Sequence, residues 1–283
     1  MGNFISNILQ IEKIFFMGLR SKDKRDIYYR LSKTMGYRAR SAYKLKHIND
    51  KYKILENKKY IVDLCAAPGS WSQVARKEIG NNQDTIIVAV DLQEMHPIDG
   101  VICLKEDITS ESCVNKIFDI FSKNKADLVL CDGAPDITGL HDLDEYYQNQ
   151  LLVSALSITL KIAEVGSTFL GKCFRGEDTC YLLEHFKLFF DDVILVKPKS
   201  SRAKSIEIFI LCRGLKKVDI NPYHINFNIE IQPMEVYSCG DDDYDPDVTY
   251  ELEEEPTEHK FPPIEPPYAD VIKLRREQSH NKK

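Results

Sequence analysis

An open, doubly wound α/β sheet, mostly parallel, is the fold this sequence predicts, and three observations predict it. Residues 61–73, Ile-Val-Asp-Leu-Cys-Ala-Ala-Pro-Gly-Ser-Trp-Ser-Gln, run a strand-like apolar segment into a Pro-Gly break and then a helix-compatible stretch. A buried first strand turns into its first helix in this way. Downstream, short apolar runs alternate with helical patterns. The last two runs, Val193–Val196 and Ile206–Cys212, leave no room for a long crossover helix, so the sheet should end antiparallel.

Along the chain, residues 1–17 read as an amino-terminal extension or an upstream start. Residues 20–54 hold twelve Lys or Arg against three Asp, with Tyr28, Tyr29, Tyr37 and Tyr43 interleaved. Such a stretch suits a phosphate backbone and stacked bases; the bland alternative is an amphipathic helix with its cations in water. After the first strand, helix is expected over 70–79. Strands follow at Thr85–Val90, Val101–Leu104 and Leu128–Cys131. Leu151, Leu152, Ala155, Leu156, Leu160 and Ala163 recur at helical spacing, which predicts a long helix from about Leu143 to Ala163. Thr168–Phe174 reads as strand and 178–190 as helix. Past residue 215 the pattern fades into a carboxy-terminal extension, 216–283, in which Val218–Pro233 reads as a short added strand or a segment packed along the domain. Residues 241–258 hold ten acidic residues and no Lys or Arg, a composition that does not pack a core. Phe261-Pro262-Pro263-Ile264-Glu265-Pro266-Pro267-Tyr268 reads as an extended segment, either a linker or a docking peptide.

The 283 residues, 43% of them hydrophobic, suffice for one large α/β domain with a tail. The net charge of −6 hides a division: without the ten acidic residues of the tail, the rest of the chain is +4. Eight Cys are scattered with no Cys-x-x-Cys pair, which reads as reduced core thiols of a cytoplasmic protein, with neither metal nor disulfides. No apolar run approaches the length of a membrane span. Met1-Gly2-Asn3-Phe4-Ile5-Ser6 fits the myristoylation pattern at Gly2, yet one acyl chain holds a membrane only weakly.

Gly69 lets backbone pass close to a ligand and Trp71 offers a flat apolar wall, at the carboxyl end of a strand where such sheets bind cofactors. The segment is not a Gly-x-Gly-x-x-Gly fingerprint, so no pyrophosphate cradle is expected. Read with four other segments, it resembles the S-adenosylmethionine (SAM) loop of the FtsJ/RrmJ family of RNA ribose 2'-O-methyltransferases. Ser-Lys-Asp-Lys-Arg-Asp-Ile-Tyr-Tyr-Arg-Leu (21–31) with Tyr-Arg-Ala-Arg-Ser-Ala-Tyr-Lys-Leu (37–45) resembles that family's amino-terminal segment. Cys-Asp-Gly-Ala-Pro-Asp-Ile-Thr-Gly-Leu-His-Asp (131–142) is similar to its central motif. Gly-Lys-Cys-Phe-Arg-Gly (171–176) and Lys-Pro-Lys-Ser-Ser-Arg-Ala-Lys-Ser-Ile-Glu (197–207) supply the last two. The resemblance covers residues 18–215, and Met17-Gly18 sits where such chains usually begin. It implies a Rossmann-like SAM-dependent methyltransferase fold, a seven-stranded mostly parallel sheet with helices on both faces. The wording of 21–31 and 131–142 looks most like the eukaryotic branch that methylates the wobble nucleotide and the nucleotide opening the tRNA anticodon loop. Enzymes of that branch work with separate auxiliary subunits that choose the nucleotide.

The resemblance places Gly69, Trp71, Asp91, Asp107 and Asp132 at the SAM site. By physics alone Asp91 and Asp107, each following a strand-like run, serve equally as caps or loop solvators. Lys44, Asp132, Lys172 and Glu207 match the family's Lys-Asp-Lys-Glu tetrad. A ribose hydroxyl must lose its proton as it attacks, and a Lys serves as base only when its pKa falls from about 10.4 toward about 7–8. Lys172 is the expected base, depressed by Lys44 and by the SAM sulfonium, with Asp132 and Glu207 holding both lysines; no metal is needed. Gly171, where the family usually has a larger residue, predicts a looser Lys172. Lys22, Lys24, Arg25, Arg38, Arg40 and Arg202 are candidate RNA contacts. RNA 5-methylcytosine methyltransferases share the Cys-Ala-Ala-Pro-Gly loop, but their nucleophilic Cys is replaced here by Asp136. Ribosomal RNA or an mRNA cap as substrate, and a non-catalytic RNA-binding subunit, are the alternatives.

Overall fold

The computed structural model describes residues 26–80, 84–135, 140–218, 221–223, 234–240 and 244. Residues 1–17, Lys22, Lys24, Arg25, Asp136, the Pro-rich segment and nearly all of the acidic stretch lie outside them.

Two helices precede the sheet, α1 (Ile27–Thr34) and α2 (Ala42–Tyr52). Asp26 caps α1 by accepting from the Tyr29 amide. Then follow β1 (Tyr60–Leu64), α3 (Ser70–Ile79), β2 (Ile86–Asp91), β3 (Ile102–Lys105), α4 (Glu111–Ile120), β4 (Ala126–Cys131) and α5 (His141–Ile162). The domain closes with β5 (Ala163–Phe174), α6 (Thr179–Lys187), β6 (Phe190–Pro198), β7 (Glu207–Leu215) and β8 (Val236–Cys239).

The strands form one sheet in the order β3-β2-β1-β4-β5-β7-β6-β8. β1 pairs in parallel with both β2 and β4, so the order reverses between them, and a crevice opens there beyond the carboxyl ends of the strands. β7 lies antiparallel between β5 and β6, as the short link predicts. The core divides by the period-2 alternation of buried strands. On β4, Leu128 and Leu130 pack with α1, α2 and α3, whereas Val129 and Cys131 pack with α4, α5 and α6.

Three features depart from the sequence reading. The described sheet has eight strands rather than seven: β8 pairs in parallel with β6 from within the segment assigned to the tail. Helix α4, ten residues capped by Ser110, lies in a stretch for which the sequence reading gives no element. Tyr28, Tyr37 and Tyr43, expected to stack on bases, are buried and meet one another and His47 as tilted and edge-on rings. The aromatics of the basic stretch therefore hold α1 and α2 on the sheet, a packing role that alternation with cations does not reveal.

Candidate active site

At the carboxyl end of β1 the chain turns sharply. The Ala66 amide bonds Val90 O at 3.0 Å and the Ala67 amide bonds Asp91 Oδ2 at 2.8 Å, so the turn is fastened to the end of β2. Gly69 starts α3 at φ +102°, and a Cβ there would lie 2.5 Å from Ile98 Cδ1 and 3.1 Å from Arg38 Nη1. Arg38 fills the space behind it. Its guanidinium donates to Pro68 O (2.9 Å), His96 O (2.9 Å) and Pro97 O (2.7 Å), locking the β1–α3 turn to the loop after β2. Buried and occupied by three carbonyls, Arg38 is a brace rather than the RNA-facing cation expected from its neighbours.

Beside this turn lies a cavity of about 780 Å³. Pro68, Asp91, Asp107, Ile108, Asp132, Gly133, Leu151 and Lys172 are among its lining residues. Asp91 and Asp107 stand on its wall, each already holding its own loop. Asp91 Oδ1 accepts from the Gln93 amide at 2.7 Å, and Asp107 Oδ1 accepts from the amide and hydroxyl of Thr109 at 2.8 and 2.7 Å. Those two bonds hold the Asp107 carboxyl below the usual carboxylate range. Both carboxylates keep lone pairs for hydroxyl or amino donors. Gly69 and Trp71 are not among the lining residues. The Trp71 ring is buried on the opposite face of the sheet against Phe209, with its N–H donated to Ser41 O at 2.9 Å. The flat wall expected of Trp71 thus faces the core.

Lys44, Asp132, Lys172 and Glu207 converge from α2, the end of β4, β5 and β7; Asp132 and Lys172 line the cavity, and Lys44 and Glu207, which are not among its lining residues, stand behind them. Lys172 Nζ donates to Asp132 O at 2.8 Å and stands 3.1 Å from Asp132 Oδ1, an ion pair without hydrogen-bond geometry. Lys44 Nζ bonds Glu207 Oε2 at 2.6 Å, lies 3.8 Å from Asp132 Oδ1, and sits over the Phe209 ring. Glu207 Oε1 accepts from Ser201 Oγ at 2.8 Å. Two cations and two anions alternate, which offsets the cost of burying each.

Burial pushes the Lys172 ammonium toward deprotonation, but the carboxylates of Asp132 and Glu207 outweigh it and hold its pKa above the ordinary value. The expected depression by Lys44 is therefore not found in the protein alone. Burial pushes the Glu207 carboxyl up, and Lys44 and Lys172 outweigh that to hold it down. Gly171 does not loosen Lys172: a Cβ there would meet Leu152 Cδ1 at 2.4 Å, and the residue pairs with Cys131 on one side and Ile210 on the other. The glycine permits close approach of α5.

Of the other candidate RNA contacts, Arg40 and Arg202 both reach the buried Asp26, and Arg40 also donates to Ser200 O. They fasten α1 to the 199–205 loop and keep part of their side chains exposed.

Sequence reasoning passed over four site residues. Ser201 and Arg38 lay inside quoted motifs without these roles. Gln148 is in phase with Leu152 and Ala155, and a polar residue on that apolar stripe was the available signal. Asp63, inside the apolar β1, is buried and accepts from Ser72 Oγ at 2.6 Å. Burial pushes its carboxyl up to about 7, with Asp132 and Asp91 adding to the effect and Ser72 opposing it.

Residues 37–215 match the family described as FtsJ-like methyltransferase. A mouse protein named tRNA (cytidine(32)/guanosine(34)-2'-O)-methyltransferase is 45% identical over 282 residues, covering 92% of this chain and 87% of the relative. A Schizosaccharomyces pombe protein of the same name is 45% identical over 288 residues, covering 94% and 99%. Among solved structures, a ribosomal RNA methyltransferase of Plasmodium falciparum superposes with TM-score 0.58 at 30% identity, covering 63% of this chain and 98% of that one.

Proposed function

The chain belongs to the FtsJ-like methyltransferase family, and on that premise we propose that it methylates ribose 2'-hydroxyls of the tRNA anticodon loop at the cavity beside Lys172. The observation that carries the reading is the alternating cluster of Lys44, Asp132, Lys172 and Glu207, whose Asp132 and Lys172 line a cavity walled by Asp91 and Asp107. Nucleotides 32 and 34 are the targets named for the mouse and fission-yeast relatives, which cover nearly the whole chain at 45% identity.

The cavity fits SAM. Asp91 and Asp107 present carboxylate lone pairs suited to the ribose hydroxyls and the adenine amino group, Pro68, Ile108 and Leu151 provide apolar wall, and Asp132, on the same lining, would hold the methionine end. When bound, SAM supplies the methyl group and a positive sulfonium.

Lys172 is the general base in this reading. In the protein alone it holds its proton, so it becomes competent only when further positive charge enters the site. With that charge present Lys172 gives up its own proton to solvent, and the neutral amine then accepts the proton of the 2'-hydroxyl, the ammonium so formed being stabilised by Asp132 through the pair already in place. Lys44 and Ser201 keep Glu207 turned into the cluster. Alignment of the hydroxyl contributes the larger share of the acceleration.

Auxiliary subunits that select the nucleotide, and a cytoplasmic location, complete the proposal. Incubating purified protein with tritiated SAM and total tRNA, with and without candidate subunits, tests it. Label mapping to the anticodon loop, reduced about 10²–10⁴-fold by Lys172→Ala, is the expected result. Label confined to ribosomal RNA or capped mRNA would replace the substrate and keep the chemistry. Labelling at the wild-type rate by Lys172→Ala would remove the base assignment.

A further inference from the structure

We propose that Gln148 is a positioning residue for methyl transfer, its carboxamide tying the turn that carries Asp132 to the backbone of Lys172. The β4–β5 ladder ends at the pair Cys131↔Gly171. Beyond it the strands part, and Asp132 and Lys172 are the first residues of the gap. Gln148 Nε2, from α5, spans that gap by donating to Gly133 O at 3.1 Å and to Lys172 O at 2.7 Å. One side-chain amide thus takes the place of the next rung of the ladder, at the point where the sheet opens to form the site.

The surroundings leave the turn little freedom. A Cβ on Gly133 would lie 2.6 Å from Cys65 Cβ and 3.1 Å from Leu151 Cδ2, so the turn is pinned between β1 and α5. One helical turn before Gln148, Glu145 Oε1 accepts from the Asp178 amide at 3.3 Å, fastening the loop after β5 to the same helix face. Gln148 is 1% exposed. A buried amide paired merely for its own burial would serve wherever carbonyls were free. This one holds the backbone on both sides of the contacts from Lys172 Nζ to Asp132 O and Oδ1. Without it the seam is left to the Lys172–Asp132 contacts themselves and to the packing of Gly133 on Cys65 and Leu151, so the spacing of Lys172 from its nearest carboxylate slackens while Lys172 stays buried. The groups facing Lys172 are Asp132 and Cys131 from β4 and Glu207 from β7, with Lys44 of α2 behind the two carboxylates.

The inference rests on Lys172 acting as the base, and its test is arranged to separate the two. The first readout needs no RNA: titration of the Lys172 side chain by heteronuclear NMR on lysine-labelled protein, wild type against Gln148→Leu. A lower Lys172 pKa in the variant is expected, because burial persists while Asp132 recedes; the rate falls nonetheless, because an amine no longer held in line loses more through misalignment than it gains in basic form. The second is kcat per cofactor site, with sites counted by binding of S-adenosylhomocysteine. Gln148→Leu is expected to lose about 10–100-fold in kcat per site, with KM for SAM changed less than about threefold. Counting sites by S-adenosylhomocysteine binding removes misfolded protein from the rate of either variant, and Gln148→Glu keeps the shape. As an anion it meets two carbonyls with no donor, so its deficit relative to wild type should shrink as pH falls and its carboxyl regains a proton. An unchanged Lys172 titration together with unchanged kcat per site and no pH dependence of the Gln148→Glu ratio overturns the proposal. If wild-type protein methylates no RNA, the functional reading falls, and the lysine titration still decides the role of Gln148.

Discussion

The acidic wall of Asp91 and Asp107 and the lysine–carboxylate cluster meet at one cavity and are built over different ranges of the chain. Asp91 and Asp107 bond amides two residues ahead of themselves, and Asp91 reaches besides to the Ala67 amide of the β1–α3 turn, so the support of this wall is mostly local. The cluster's bonds instead join Lys44 to Glu207 across 163 positions and Lys172 to Asp132 across 40. Local support makes the wall tolerant, because losing one carboxylate leaves the other's loop intact. The cluster has no such independence: each charge is compensated by another from a different element, so removing one strands its partner.

That difference predicts graded losses. The largest belongs to Lys44→Met. It deprives Glu207 of the ammonium 2.6 Å away, and methyl transfer should fall by about 100-fold or more, read as single-turnover rate at saturating SAM. A rate within about threefold of wild type would mean that Lys172 alone neutralises both carboxylates and that the cluster is not a unit. Asp91→Ala should weaken SAM binding by about 10–100-fold, the cost of a lost charge-assisted hydrogen bond, with a smaller effect on the rate at saturation; calorimetric titration reads it. Equal losses in rate and affinity would erase the distinction between the two regions.

The least effect on methyl transfer itself, and one read in stability instead, is expected where the regions meet. Asp63 lies in β1 beneath both, feeling Asp132 on one side and Asp91 on the other. Its folded pKa, about 7, lies above its unfolded value. Wild-type stability from this group is therefore complete below pH of about 4 and is lost as pH rises toward 7. Asp63→Asn removes that slope, so the variant should gain on wild type with rising pH across this window in urea unfolding, by at most about 1.4 kcal/mol per unit crossed. A stability difference that stays constant from pH 4 to 8 would show that Asp63 is ionised throughout.

Local pattern carried most of the sheet. Period-2 burial, a Pro-Gly break after β1 and helical spacing in α5 are each written in neighbouring residues, and so is the antiparallel hairpin implied by the short β6–β7 link. β8 was missed because its four residues include only one fully buried side chain, Cys239, and gain their place by pairing with β6. Arg38 is buried where cation density suggests exposure, and Arg40 and Arg202 carry structural ion pairs besides, because cation density is a property of sequence while the carbonyls and the buried Asp26 that take up those guanidiniums arrive from distant segments. The Trp71 ring was misplaced because helix phase relative to the sheet is fixed by packing on Phe209 and not by the motif.

By itself the sequence determined the fold class and the break that follows β1, and by resemblance to a family the four residues matching its tetrad, because strand and helix periodicity and motif order are carried by neighbours along the chain. Only the tertiary structure decided what those residues do to one another. It set Lys172 above rather than below its ordinary pKa, aligned Glu207 through Ser201, and placed Gln148 across the seam where β4 and β5 part. Coulomb energies and hydrogen bonds depend on distances of a few ångströms and on local dielectric, and folding brings those groups together from segments that are remote along the chain.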